Sequence, residues 1–310
     1  MSDLDNLDKY AIIDNEVTPI TEAKMSIASS AVLYGLSVYS VFLVSQNKED
    51  KEQWLIFRLP EHIQRIKQSS RMIGFDINDN LINEDLIIKN IKTLIKQNNQ
   101  DGDRFFRLSL HATDLLPGVK TKNLTLSISL FSYQAKPILP TYGARIKTSL
   151  WKRTADTAIP ARAKVNGAYV NSALAKQDAL DSGFDDCLFL NQNGYVSELS
   201  AANIFMIKNK ELITPDCSSD ILEGITRRSI TELAKANNLT VTERKVALTE
   251  LYSADEVFAC GTSTQISQIT EIDNRKIGNG KSENLTDILR QKLIQVQTDK
   301  ANPWIKTITI

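Results

Sequence analysis

Ile159-Pro160-Ala161-Arg162-Ala163-Lys164-Val165-Asn166-Gly167-Ala168-Tyr169 is the stretch on which the reading of this chain turns. Lys164 follows small residues and precedes a helix expected to begin at Asn166, a setting that desolvates its amine in part. Desolvation disfavours the ammonium form and leaves a lysine nucleophilic enough to form a Schiff base. Taken alone, such a lysine is more often an ordinary exposed one, so the rest of the chain has to decide.

Working outward, Val196-Ser197-Glu198-Leu199-Ser200-Ala201-Ala202-Asn203-Ile204-Phe205 places one carboxylate between a turn and an apolar strand. Burying it is costly without a partner. A protonated pyridine nitrogen is one such partner, and holding that proton makes the ring an electron sink for a carbanion. The plainer alternative is a Glu198 that faces solvent beside a hairpin. Next, Leu222-Glu223-Gly224-Ile225-Thr226-Arg227 is a glycine turn opening a helix, with free N–H groups and a hydroxyl suited to a phosphate. Finally, Glu256-Val257-Phe258-Ala259-Cys260-Gly261-Thr262-Ser263 reads as a buried strand ending in a second cluster of amides and hydroxyls. Each of the last two is, in isolation, equally a helix cap or a turn.

Around these segments the chain divides in two. A hairpin over Tyr10 to Val17 turning at Asp14 and Asn15, a strand over Val38 to Val44, a helix from Pro60 and Glu61, and a helix capped by Asn83 and ended at Asn98 and Asn99 lead to an alternating strand at Leu124 to Leu130. The boundaries expected are a small domain over 1–133, a linker over 134–140 and a larger domain over 141–310. In the larger part, Cys187 to Leu190 and Tyr195 to Glu198 flank an Asn-Gly turn, and Asn203 to Lys208 turns through Asn209-Lys210 into Glu211 to Thr214. Helices are expected over Ile225 to Asn237 and Glu283 to about Gln297, with Leu285, Ile288, Leu289 and Leu293 on one face.

Composition narrows the function classes. The 310 residues suffice for two cores, and 37 basic against 37 acidic residues leave no net field to attract a nucleic acid or an anionic membrane, so the partner expected is a small molecule. Cys187, Cys217 and Cys260 show no CxxC spacing and there are only two histidines, His62 and His111, so neither a disulfide framework nor a metal site is expected; Cys260 reads as a buried structural thiol. The start, Met1 to Tyr10, is acidic and polar, which suits a cytoplasmic protein. Met25 to Val44 carries no charge, but five serines and Gly35 make it a buried strand with its approach loop rather than a membrane span.

In this order and at these spacings the segments resemble the class IV aminotransferases, and within them the branched-chain amino-acid branch, over nearly the whole chain. The resemblance begins at Leu33-Tyr34-Gly35 and continues through Phe57-Arg58-Leu59-Pro60-Glu61-His62. It implies the two-domain fold-type IV architecture, also that of the D-amino-acid aminotransferases: α+β overall, with a small α/β sandwich before a larger pseudo-barrel domain. It implies pyridoxal 5'-phosphate as cofactor, amino acid and 2-oxo acid substrates, and a homodimer or larger assembly. Carried over residue by residue, it makes Lys164 the Schiff-base lysine and proton shuttle, puts Glu198 on the pyridine nitrogen and Tyr169 near the phenolic oxygen, and gives Arg58, Gly224, Ile225, Thr226 and Thr262 to the cofactor phosphate. Arg107 matches the arginine for a distal carboxylate, Thr262 and Ser263 the turn facing the α-carboxylate, and Tyr34 a residue reaching a neighbouring subunit's site.

Three departures are expected in the substrate pocket. Tyr39-Ser40-Val41 stands where the family has Phe-Glu-Gly, Phe105 where it has a tyrosine, and Tyr133 where it has a tryptophan. They leave the cofactor set intact and the choice of amino donor open. The same cofactor residues also serve D-amino-acid and amine transaminases, a lyase acting on aminodeoxychorismate, and non-catalytic carriers of the cofactor.

Overall fold

A computed structural model describes residues 6–78, 80–278 and 284–310. The remaining residues, which include the first half of the acidic start and the expected helix start at Glu283, lie outside the described residues. Two compact units result: 6–136 with 163–167 and 296–310, and 137–162 with 168–295.

The first unit is a seven-stranded sheet. The hairpin of β1 (Tyr10–Ile13) and β2 (Glu16–Pro19) turns on Asp14 and Asn15, whose φ values of 49° and 73° suit short polar side chains. The uncharged Met25–Val44 stretch resolves into a one-turn helix α1 (Ser30–Tyr34) and the buried strand β3 (Ser37–Gln46). Then follow β4 (Gln53–Phe57), α2 (Leu59–Met72), α3 (Glu84–Gln97), β5 (Arg104–Ala112) and β6 (Leu126–Gln134). Asn83 caps α3 as its sequence demands, its side chain accepting from the Leu86 amide at 2.9 Å. The C-terminal strand Ile305–Thr309 pairs antiparallel with β4, so the sheet order runs from that strand through β4, β3, β5, β6 and β1 to β2. The sequence reading ended the first domain at residue 133 and placed both this strand and 163–167 in the second. Both group with the first unit, the strand through its pairing with β4 and 163–167 through an isolated bridge from Val165 to Val38.

In register, Ser37, Tyr39 and Val41 of β3 oppose His111, Ser109 and Arg107 of β5, which oppose Ser127, Ser129 and Phe131 of β6. The alternation of a strand therefore gathers these side chains on one face. The other face, with Phe42, Phe106, Leu108 and Leu110 fully buried, packs on the helices.

The second unit holds a nine-stranded mixed sheet. After β7 (Ala144–Thr148) come α4 (Tyr169–Asp181), β8 (Asp186–Leu190), β9 (Val196–Leu199), β10 (Asn203–Lys208), β11 (Glu211–Thr214), α5 (Ile225–Ala236), β12 (Val241–Glu243), α6 (Leu248–Tyr252), β13 (Glu256–Gly261), β14 (Gln265–Ile272), β15 (Arg275–Lys276) and α7 (Leu285–Thr298). The path runs β12-β11-β10-β13-β14-β7-β8-β9, with β15 attached to β14. β9, at one end of it, touches β10 near the other. The sheet thus curls toward a barrel around a core that includes Leu188, Val196, Ile204, Val257 and Ile269. Glu256 caps α7, accepting from the Leu285 and Thr286 amides at 2.9 and 2.8 Å. On α7, Leu289 and Leu293 are buried as the helical spacing requires, whereas Ile288 is 43% exposed and lies off the apolar stripe. Among the described residues, no helix is long and apolar enough to cross a membrane.

Candidate active site

In the first unit Lys164 is carried by a short segment stitched to β3. The Lys164 amide donates to Ser69 Oγ at 3.0 Å, its carbonyl accepts from the Tyr39 amide at 3.1 Å, and Val165 bridges Val38. Two glycines permit this approach. A Cβ on Gly35, whose φ is 67°, would lie 2.8 Å from the Gly167 Cα. The side chain is partly buried, as the small residues before it suggested, with Nζ 4.8 Å from the Tyr39 ring centroid. Arg107 meets the same ring, its guanidinium carbon 3.6 Å from the centroid. Phe105 and Tyr133 pair across β5 and β6 with ring centroids 5.9 Å apart, so two of the three departures do line the face that carries Arg107.

Ser40 does not. It lies on the opposite face, fully buried against α2, with its Oγ 2.8 Å from His62 Nδ1 and accepting from Arg65 Nη2 at 2.7 Å. The exchange of a carboxylate for a hydroxyl at this position alters a buried network, and the expectation of an effect on the pocket is corrected by strand alternation.

Arg58 is buried at a φ of 51°, stacked 3.7 Å over Trp304 and paired with Glu61 at 2.8 Å. An anion arriving there shares the guanidinium with Glu61. Tyr34 ends α1 and is 38% exposed, beside other exposed apolar side chains.

In the second unit Glu198 is buried, so the solvent-facing alternative falls. Oε1 pairs with Arg153 at 2.8 Å, and Oε2 accepts from Asn203 Nδ2 at 2.9 Å and from the Leu222 amide at 3.2 Å. The sequence reading did not single out Arg153 or Asn203, the two side chains that hold this carboxylate. Asn203 also donates to the Leu222 carbonyl at 2.9 Å, which ties the carboxylate to the glycine turn. Gly224 has an ordinary φ of −66°, but a Cβ there would collide with Asn203 Oδ1. The turn needs a glycine for space. Beyond it α5 starts with no side-chain cap, leaving first-turn amides free for an anion, with Ile225 and Thr226 buried beside them. Arg227, the last residue of that motif, is structural. It binds the Pro215 carbonyl and Glu243 at 2.9 and 2.6 Å. Thr262 and Ser263 form the turn between β13 and β14, where the Thr262 carbonyl accepts from Gln265 at 2.7 Å. Cys260 is buried and its thiol is pushed up by desolvation, which keeps it protonated and inert. Tyr169 opens α4.

This chain belongs to the class IV aminotransferase family, whose sequence model matches residues 39–272, and is a pyridoxal-phosphate-dependent aminotransferase. A probable branched-chain-amino-acid aminotransferase of Aquifex aeolicus is 37% identical to it, over 97% of this chain and 96% of that one. Among solved structures, the branched-chain aminotransferase of Thermoproteus uzoniensis with norvaline superposes with a TM-score of 0.90 at 26% identity, covering 97% of this chain and 99% of that one. The T.th. branched-chain amino acid aminotransferase complexed with N-(5'-phosphopyridoxyl)-L-glutamate gives 0.85 at 28%, covering 96% and 98%. The residues present fit the cofactor of this class: α5 leaves its first amides uncapped for a phosphate, and Glu198 is a buried, oriented carboxylate.

Proposed function

We propose that the protein moves the amino group of an L-amino acid with a branched or other apolar side chain to 2-oxoglutarate in a ping-pong reaction, with pyridoxal 5'-phosphate carried as a Schiff base on Lys164. One observation carries this reading: Arg107 and Lys164 meet the same Tyr39 ring, at 3.6 and 4.8 Å. An amine able to hold the cofactor and a guanidinium able to hold a distal carboxylate thereby share one sheet face. Phe105, Phe131 and Tyr133 beside them suit an apolar side chain. The phosphopyridoxyl-glutamate complex of the T.th. relative supports the five-carbon diacid. Transaminases of D-amino acids or amines and the lyase reading give Arg107 less to do.

The cofactor, when bound, supplies an electron sink for the pair left at the substrate α-carbon. Lys164 Nζ takes the proton from that carbon. Glu198, fixed by Arg153, Asn203 and the Leu222 amide, would hold a proton on the ring nitrogen. As the family resemblance implies, Arg58, the Gly224–Thr226 turn and Thr262 would hold the phosphate, Tyr169 the phenolic oxygen, and Thr262 with Ser263 the α-carboxylate. Arg107→Met separates the two substrates. Efficiency with glutamate should fall by roughly tenfold to a hundredfold, the worth of a charge-assisted hydrogen bond, and efficiency with leucine by much less. Single-turnover rates with each donor check this, and equal losses would assign Arg107 to structure or to the α-carboxylate.

We further propose a homodimer or larger assembly. In the first unit Ile27, Val32, Leu33, Leu115 and Leu116 are between 44% and 84% exposed, and the Leu116 amide bonds the Ala28 carbonyl to hold the two stretches together. Contiguous exposed apolar surface of this kind marks an interface. Sedimentation should give at least twice the 34.7 kDa chain mass, and Leu33→Asp with Leu116→Asp should drive it toward monomer. A monomeric native protein would contradict the assembly.

A further inference from the structure

Arg107 alone does not explain how its guanidinium is aimed. Stacking on Tyr39 fixes the plane of the fork but leaves it free to turn within that plane. Asn166 removes this freedom. Its Oδ1 accepts from Arg107 Nη2 at 2.7 Å, and its Nδ2 donates to Ser37 Oγ in a short hydrogen bond. Arginine has donors and no acceptor, so the amide oxygen must face Arg107 and the amide nitrogen Ser37. Only a side chain carrying both an acceptor and a donor serves both neighbours. Ser37, Arg107 and Asn166 line a cavity of about 800 Å³ in the first unit. His111 lines it too. Burial, and then the Arg107 charge, lower its pKa to about 4, so it is neutral at neutral pH and leaves the anion to the guanidinium.

We propose that Asn166 is a positioning residue for the distal carboxylate: by orienting Arg107 from the segment that carries Lys164, two residues away, it gives the site its affinity for a dicarboxylate. This rests on the reading of Arg107 and Lys164 above. The same segment is joined to β3 through the Lys164 carbonyl and Val165, and to Gly35 just before that strand through the Gly167 amide, so amine and guanidinium are held in register by one piece of backbone.

The test uses holoenzyme with Asn166→Ala, Asn166→Asp and Arg107→Met as reference. Glutarate affinity is measured by calorimetry, and single turnovers are run with glutamate and with leucine. Asn166→Ala should weaken glutarate by about tenfold, the range for a hydrogen bond to a charged group. The loss with glutamate should appear in KM rather than kcat, and leucine should lose much less. Asn166→Asp is nearly isosteric, so it decides the matter even where the alanine variant does not fold. Its carboxylate should pair with Arg107 in competition with substrate and weaken glutarate further. Equal losses for both donors, or glutarate binding at the wild-type level in the Asp variant, overturns the inference. An Arg107→Met that discriminates while neither Asn166 variant does leaves the Arg107 reading standing and removes only this one. An Arg107→Met without effect on glutamate removes both.

Discussion

Lys164→Ala should abolish transamination, leaving a protein that binds pyridoxal phosphate non-covalently at best and from which borohydride fixes no cofactor. The expected loss is large because the proposed mechanism gives one amine two tasks, covalent anchor and proton carrier, and neither has a substitute on the same segment. The backbone should tolerate the change. The segment is held by the Lys164 amide and carbonyl and by the Val38–Val165 bridge, none of which needs the side chain. An unchanged thermal midpoint together with turnover at background therefore separates chemistry from folding. A variant keeping more than roughly a hundredth of wild-type turnover, less than the least that loss of a positioned acid–base group usually costs, would place the anchor elsewhere.

Glu198→Gln should slow the half-reaction on the order of a thousandfold with the cofactor still bound, the scale for removing a preorganised electrostatic partner. Geometry makes the substitution harsher than its shape suggests. Oε2 accepts from two donors and Oε1 from Arg153, so a glutamine must turn its NH2 group toward a donor on one side or the other. Breaking a buried pair costs about 3–5 kcal/mol, since it strands the remaining charge, so thermal stability should fall as well. Stopped-flow rates normalised to bound cofactor separate the two effects. Near-normal turnover at full occupancy would show that Glu198 serves only the fold.

What the sequence made legible was local. The Asp14-Asn15 and Asn209-Lys210 turns, the Asn83 cap and the alternation in β6 are all written within a few residues of where they act, and the order of the Lys164, Glu198, Gly224 and Thr262 segments is what pointed to the family. What it hid was long-range. Nothing local in Ile305–Thr309 tells it to pair with β4. Arg153 reaches Glu198 across 45 residues of chain, and Arg107 meets Asn166 across 59, so neither partner carries a motif of its own. Ser40 was placed near the pocket because Tyr39-Ser40-Val41 stands where the family has Phe-Glu-Gly, yet adjacent residues of a strand face opposite ways. The glycine at 224 was legible as a turn opening a helix, but not the reason that a glycine stands there. Its φ is ordinary, and the reason for it is the amide of Asn203 standing where a Cβ would be.

The central claim is that Lys164 carries the cofactor, and one measurement tests it directly. Purified protein should be yellow, and borohydride should bleach the colour while fixing a phosphopyridoxyl group to a single peptide. Digestion and mass spectrometry should recover that group on the peptide containing Lys164. Recovery on any other lysine, or a cofactor that washes out after reduction, would contradict it.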